Sequence, residues 1–251
     1  MSDRPAVEEA EIDRIAPTRR PDRTPSGYHR WRKLLFLHWP VPVDVLRPLV
    51  PERLSIDTFE GQAYIGVIPF EIDMLRTRLM PEAFALRFLE TNCRTYVHVD
   101  GRDPGVFFFS LDAASRLAVW GARMTVGLPY FLADIKLEER EDDIFEYTLQ
   151  RLEGARPSLH VEYRVGEALP PAAPGTLEHF LVERYFLHDE KGGTVSSLQV
   201  HHPPYPLERA RILDLQDDLV AAAGLPRPEG PPPLVHWSWG VDVEVFAPVT
   251  R

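Results

Sequence analysis

Cysteine and lysine are scarce in this chain, and each shortage excludes a class of chemistry. Cys93 is the only cysteine among 251 residues, so no intrachain disulfide can form and a reducing, cytoplasmic setting is expected. Only 3 of the 28 basic residues are lysines, namely Lys33, Lys136 and Lys191, which leaves 25 arginines. A mechanism that needs a lysine amine therefore has few positions from which to act.

Long apolar runs and a positive net charge are also missing. No apolar run approaches the roughly 20 residues that span a bilayer, and the N-terminus lacks the basic-then-apolar order of a signal peptide. The formal net charge is -10, so the molecule as a whole is not expected to attract nucleic acid or an anionic membrane. Neither of these partners is predicted.

Proline, in contrast, is abundant. The chain has 25 prolines, about twice the usual share, and they divide it into many short elements in a way that argues against a helix bundle. Residues 1–26 are charged and proline-rich, which predicts a disordered N-terminal arm. Residues 27–251 show no change of composition that would mark a domain boundary, so one domain is predicted there.

Short apolar segments with strand-like alternation predict a mainly β fold of the α+β class. The predicted strands number about ten, at 31–38, 54–58, 63–70, 84–99, 106–111, 130–138, 144–152, 159–165, 194–200 and 234–246. Short helices are predicted at 44–49, 113–123 and 176–185, and 209–223 is expected to be helical in part. Such a pattern is typical of a β-barrel with a few peripheral helices.

The most informative segment is the polar side of the predicted strand at 84–99. Because strand side chains alternate between faces, Asn92, Arg94, Tyr96 and His98 are expected on one face and Cys93 on the other. A guanidinium, an amide, a phenol and an imidazole together favour binding of a small anion inside a cavity, since a guanidinium pairs well with carboxylate or phosphate.

A structural role for these arginines remains open. Arg94 and Arg123, the second candidate cation, could instead pair with Glu71, Glu90 or Asp112, since buried arginines are mostly paired. His38 ends the first predicted strand and is a further candidate. No metal site is predicted, because the scattered histidines match no zinc-binding spacing, and no cofactor is predicted, because a glycine-rich phosphate loop is missing.

Several segments, in their order and spacing, resemble the DUF2071 (YqjF-like) family of uncharacterised proteins. The matching segments are at 36–41, 49–51, 57–61, 68–70, 90–97, 109–113, 127–130, 177–185 and 202–203. That family is similar to acetoacetate decarboxylase, and the resemblance implies a closed antiparallel barrel around an internal cavity. In the decarboxylase, a lysine after a Gly-x-Pro pattern forms a Schiff base with the substrate ketone.

The same resemblance argues against the decarboxylase chemistry. The corresponding stretch here is Gly127-Leu128-Pro129-Tyr130, so Tyr130 stands where the lysine is expected. Arg94 lies in the place comparable to the decarboxylase's glutamate. The resemblance thus implies that both the imine-forming amine and its acidic partner are missing.

Three hypotheses follow. The favoured one is a protein that binds a small carboxylate or enolate-like molecule between Arg94 and Tyr130, with Tyr96, His38 and Arg123 nearby. Tyr130 is the candidate catalytic residue, as a hydrogen-bond donor or general acid. The second is a decarboxylase-like enzyme, or another lyase or hydrolase, using Lys33 or Lys136. The third is a non-catalytic scaffold or homo-oligomer that associates through the aromatic segment at 237–239.

Overall fold

The computed structural model describes residues 12–125 and 127–251. The first 11 residues of the predicted arm lie outside the described residues. The remainder of that arm contacts later parts of the chain: Arg14 forms an ion pair with Asp57, and the guanidinium of Arg20 forms one with Glu244. The boundary at residue 27 stays a prediction.

Thirteen strands and a few short helices make up the described part of the chain. The strands are β1 (Gly27–Val41), β2 (Ser55–Ile56), β3 (Ala63–Thr77), β4 (Leu86–Val99), β5 (Arg102–Ala113), β6 (Tyr130–Glu139), β7 (Ile144–Arg151), β8 (Ser158–Ala168), β9 (Phe186–Lys191), β10 (Thr194–His201), β11 (Leu207–Asp217), β12 (Leu234–Val245) and β13 (Val249–Thr250). The mainly β, α+β architecture is confirmed.

The helices are short. They are α1 (Val43–Leu46), α2 (Arg116–Thr125), α3 (Leu177–Val182) and α4 (Leu219–Ala222), with 3-10 turns at Ala16–Thr18, Arg47–Leu49 and Glu82–Phe84. Across residues 12–125 and 127–251, none of the helices has the length and apolar character needed to cross a membrane.

The strands pair into one sheet whose order returns on itself. The order β5-β6-β7-β8-β11-β12-β1-β3-β4 is continued by pairing of β4 with β5, so these strands form a ring. Most pairs are antiparallel, but β5 pairs in parallel with both β6 and β9. The sheet is therefore mostly antiparallel, as the resemblance implies, with two parallel pairs as exceptions, and closure into a barrel stays a prediction.

Two apolar clusters cover the two faces of the central strands. On β1, Leu35 and Leu37 belong to one cluster, together with Trp237 of β12, and Phe36 belongs to the other. Strand β4 divides in the same way, with Cys93 in the first cluster and Tyr96 in the second. The predicted alternation of the polar strand is therefore confirmed.

The aromatic segment at 237–239, predicted as an interface, is divided between core and surface. Trp237 is fully buried in the first cluster, whereas Trp239 is 48% exposed.

The partly helical prediction at 209–223 is mostly wrong. Residues up to Asp217 continue β11, and only α4 is helical. A register shift between Ile212 and Asp214 interrupts the strand's pairing with β8. The irregularity breaks the period of two and leaves apolar residues at spacings that resemble a helix.

Candidate functional site

Strand β4 presents the predicted polar face because its pairing with β3 is regular. The antiparallel register runs without a shift from Thr95 opposite Ile65 to Phe88 opposite Ile72. Side chains two residues apart therefore stay on one face. Arg94 lies directly opposite Gly66, and Asn92 lies opposite Ile68 on the same face.

Arg94 is a partly buried cation on an aromatic wall. Its Nη2 donates to the Leu181 carbonyl of α3 at 3.2 Å, and its guanidinium carbon lies 5.9 Å from the Phe36 ring and 5.8 Å from the Tyr96 ring. The buried Nε has no hydrogen-bond partner. Within the part of the chain that the structure describes, no carboxylate lies within ion-pair distance of Arg94.

This arrangement differs from the ion pair that was the alternative interpretation. Glu71, Glu90 and Asp112 do not form salt bridges with Arg94; Asp112 instead holds Arg151, with Nε to Oδ1 at 2.6 Å. A guanidinium that has solvent access, aromatic neighbours and unused hydrogen-bonding capacity is suited to a carboxylate ligand.

Tyr96 and His38 form a neutral pair beside this cation. The Tyr96 hydroxyl donates to the Leu181 carbonyl at 2.9 Å and lies 2.7 Å from His38 Nε2. Because the hydroxyl has a single proton, we assign His38 Nε2 as the donor to it, which leaves Nδ1 as a bare acceptor. Burial lowers the pKa of His38 well below its usual value, and the Arg94 charge lowers it further.

A glycine makes room for that histidine. A Cβ added to Gly66 would lie 3.0 Å from His38 Cδ2 and 3.1 Å from His38 Nε2. Since Gly66 faces Arg94 across the strand pair, the missing side chain lets the imidazole lie close to the guanidinium.

Replacing Gly66 with Ala is therefore expected to displace His38 and to lower the free energy of unfolding by about 1–3 kcal/mol, as overpacking does. Urea denaturation measures the loss. Gly121→Ala is the matched control, because a Cβ at Gly121 in α2 meets nothing within 4 Å. Equal stability of the two variants would contradict the tight contact.

Two further aromatic residues adjoin the cation, and sequence reasoning did not select them. The Tyr205 ring lies 5.3 Å from Phe36 and 4.6 Å from the His202 ring. Burial lowers the pKa of His202 to about 4 and raises the pKa of Tyr205. The charge of Arg94 acts to lower the pKa of both groups. The only available signal was that His202 belongs to a segment that resembles the family. We call Arg94, Tyr96, His38, His202 and Tyr205 the Arg94 cluster.

Tyr130 packs against the second apolar cluster, the one that contains Tyr96. Its hydrogen-bond partner, however, is not a member of the Arg94 cluster. It begins β6 and is paired with Leu111, which is in turn paired with Asn92. The Tyr130 hydroxyl hydrogen bonds the Glu90 carboxyl of β4. Burial raises the pKa of Glu90 to about 8 and, together with the Glu90 charge, holds the pKa of Tyr130 well above its usual value.

These contacts correct one expectation. An acidic partner for Tyr130 is present, and it is Glu90, four residues before Arg94. The pKa of Tyr130 is raised, so the phenol is a hydrogen-bond donor and not a base at neutral pH. Sequence reasoning considered Glu90 only as an ion-pair partner.

Arg123 and the lysines lie elsewhere. The Arg123 guanidinium donates to the Tyr130 carbonyl at 2.8 Å and pairs with Glu153 at the surface.

The three lysines are also outside the Arg94 cluster. Lys33 pairs with Glu139 at 3.0 Å, and Lys136 is exposed. Lys191 reaches the Gly127 carbonyl, yet it is 61% exposed and pairs with Asp189, so it lacks the desolvated pocket of a Schiff-base lysine.

Metal ligation has no support in the described residues. No group of three or more His, Cys, Asp or Glu side chains is arranged to hold an ion there. The histidines near Arg94 are instead neutral hydrogen-bonding groups.

Comparison with known proteins places this geometry among related folds. The chain is 40% identical to the uncharacterized protein YqjF of Bacillus subtilis (strain 168) over 222 residues, which is 88% of this chain and 90% of that one. Among solved structures, acetoacetate decarboxylase from Legionella pneumophila superposes with a TM-score of 0.57 at 14% identity, covering 99% of each chain. The enduracididine biosynthesis enzyme MppR in complex with pyruvate superposes with a TM-score of 0.59 at 14% identity, covering 91% of each chain.

At such low identity the two solved structures show a shared fold and nothing about chemistry. The sequence match is stronger evidence, because a family model described as an uncharacterized conserved protein aligns with residues 28–242. That range contains every residue of the Arg94 cluster together with Glu90 and Tyr130. The chain is a member of the DUF2071 family.

Proposed function

We propose that this protein binds a small organic carboxylate or enolate in a barrel cavity, with the anionic group on Arg94. The observation that carries the proposal is the state of Arg94: a partly buried guanidinium with an unused Nε and no carboxylate partner among the described residues. Desolvating a cation is costly unless something compensates it, and a bound anion does so.

The neighbours of Arg94 support a ligand with a single negative charge. Arg184, the other guanidinium close to Tyr96, is already compensated by Asp57 at 2.7 Å. His38 and His202 are neutral near pH 7, because burial lowers the pKa of both. MppR, a protein of the same fold, binds pyruvate, which is a small monocarboxylate. That complex is consistent with a ligand that has a single negative charge.

The proposal includes no Schiff base. The resemblance implies that Tyr130 stands where the decarboxylase pattern has lysine, and a phenol cannot form an imine. Catalysis without imine formation, by a lyase or hydrolase, remains an alternative. The Glu90–Tyr130 hydrogen bond is the observation that favours it, because a buried acid beside a phenol can exchange protons with a ligand.

Arg94→Met tests the proposal with pyruvate and valerate as probes. We expect the dissociation constant measured by calorimetry to rise about tenfold to a hundredfold, since hydrogen bonds to a charged group contribute about 1.5–3 kcal/mol. Stability is expected to be unchanged or higher, because the variant removes an unpaired, partly buried charge.

Arg209→Met is the matched control, since Arg209 is 67% exposed and pairs with Glu167 at the surface. It is expected to bind both probes as the unmodified protein does. Equal affinity of Arg94→Met and Arg209→Met for carboxylates would overturn the proposed function.

A further inference from the structure

A second polar site lies on the same face of β4 as Arg94. Glu90 is only 3% exposed, and its Oε2 is buried without a hydrogen-bond partner. Buried polar atoms in folded proteins are nearly always paired with protein, water or ligand. An unpartnered carboxyl oxygen at this depth therefore points to a group that binds there.

The two sites are linked by the amide between them. Asn92 is 5% exposed, shares the face of Glu90 and Arg94, and also has an unpartnered buried oxygen, Oδ1. Three successive residues on one face thus each have an unused polar atom. A single ligand that lies along this row would contact all three unused atoms, which explains their arrangement better than chance does.

The distance between the ends of this row restricts the ligand. Glu90 and Arg94 are four residues apart on a strand whose pairing with β3 is regular over this span, so their Cα atoms are about 13 Å apart. The Arg94 guanidinium lies towards Tyr96 and Leu181, which is away from Glu90. A molecule as short as pyruvate contacts only one end of the row.

The chemistry of the Glu90 end differs from that of the Arg94 end. Tyr130 donates its single proton to Glu90, and Glu90 in its neutral form has a proton of its own that is free to be donated. One free donor and no fixed cation suit an uncharged oxygen acceptor, such as a ketone, and disfavour a second carboxylate.

We propose that Glu90, held by Tyr130, binds the uncharged carbonyl end of an extended keto acid whose carboxylate lies on Arg94. The inference rests on the proposed function, because it assumes carboxylate binding at Arg94. It adds the substrate class: a monocarboxylic acid with a ketone several carbons from the carboxylate.

Calorimetry with matched pairs of ligands tests this assignment. The probes are pyruvate, levulinate and longer methyl-ketone carboxylic acids, each compared with the fatty acid that lacks the ketone. For the longer acids we expect the ketone to improve affinity about tenfold, as a good buried hydrogen bond does, and for pyruvate we expect weak binding that does not depend on Glu90.

Variants at Glu90 separate the possible outcomes. Glu90→Met removes the donor and is expected to abolish the preference for the ketone, whereas Glu90→Gln keeps an N–H donor and is expected to retain part of it. If the keto acids and fatty acids bind equally well while Arg94→Met still weakens binding, this inference fails and the proposed function stands. If no carboxylate binds the unmodified protein, the proposed function fails, and the inference fails with it.

Discussion

Replacing Glu90 with Gln is expected to make the protein markedly more stable than the unmodified chain at pH 8, while the two are similar near pH 4.5. Burial raises the pKa of Glu90 from 4.5 to about 8 in the folded state. Above pH 4.5 the unfolded chain loses this proton first, so the folded state binds more protons and stability falls as pH rises. The fall ends near pH 8, where the folded state ionises too.

The size of this effect follows from the shift. A raised pKa is worth about 1.4 kcal/mol per unit, so the difference between the variants is expected to grow by about 5 kcal/mol across this window. The neighbouring groups do not cancel it: Tyr130 and Tyr147 have pKa values well above their usual range, and the nearby Asp112 charge disfavours ionisation of Glu90 further.

Urea denaturation at several pH values between 4.5 and 8.5 measures the difference. The buried histidines act in the opposite direction, because a pKa of about 4 for His29 and His202 makes stability rise with pH up to about 6.5. Comparing Glu90→Gln with the unmodified protein removes that shared contribution.

Glu167→Gln, at a side chain that is 74% exposed, is the control and is expected to show no pH-dependent gain in stability. Parallel stability profiles for all three proteins would show that Glu90 is not held neutral.

The polar face of β4 could be predicted from sequence because it depends on local geometry alone. Alternation along a strand fixes which of Asn92, Arg94 and Tyr96 share a side, and the regular pairing with β3 preserves it. The same alternation in other short apolar segments predicts the mainly β fold, and it too is carried by neighbouring residues in the chain. The family resemblance draws on the order of many segments and implies the same mainly β fold.

The partners of these residues could not be predicted in the same way. Tyr130 meets Glu90 because Leu111 is paired with Asn92 on one side and with Tyr130 on the other, a relation set by two strand registers. The Leu181 carbonyl reaches Arg94 only because α3 packs over the sheet from nearly 90 residues away in sequence. Register and packing of distant elements are tertiary properties, and one sequence contains no direct signal of them.

The buried ion pair between Asp57 and Arg184 connects the stability of the fold to the Arg94 cluster. Asp57 is 1% exposed, and its Oδ2 accepts from Arg184 Nη1 at 2.7 Å. Arg184 in turn donates through Nε to the Phe180 carbonyl at 2.6 Å and stacks over the Phe180 ring at 4.2 Å. The next carbonyl in α3, from Leu181, orients both Arg94 and Tyr96.

Replacing Asp57 with Asn is expected to lower the free energy of unfolding by about 3–5 kcal/mol, because it leaves the buried Arg184 charge uncompensated. Chemical denaturation measures the loss. Glu167→Gln breaks an exposed pair with Arg209 and is expected to change stability by less than about 0.5 kcal/mol. The same Asp57→Asn variant is expected to weaken carboxylate binding, since Arg184, which binds the Phe180 carbonyl next to Leu181 in α3, loses the carboxylate that holds it in place.

A double variant separates a lost charge pair from a local packing defect. Asp57→Leu combined with Arg184→Met removes both charges of the buried pair, and apolar replacement of such a pair is often neutral or stabilising. Arg14, which also pairs with Asp57, loses that partner in Asp57→Asn and in the double variant alike, so its contribution is common to both. We therefore expect the double variant to recover much of the stability that Asp57→Asn loses. Its carboxylate affinity should stay low, because Arg184 no longer binds the Phe180 carbonyl. If the double variant is no more stable than Asp57→Asn, the loss comes from packing around Asp57 and not from the charge left on Arg184.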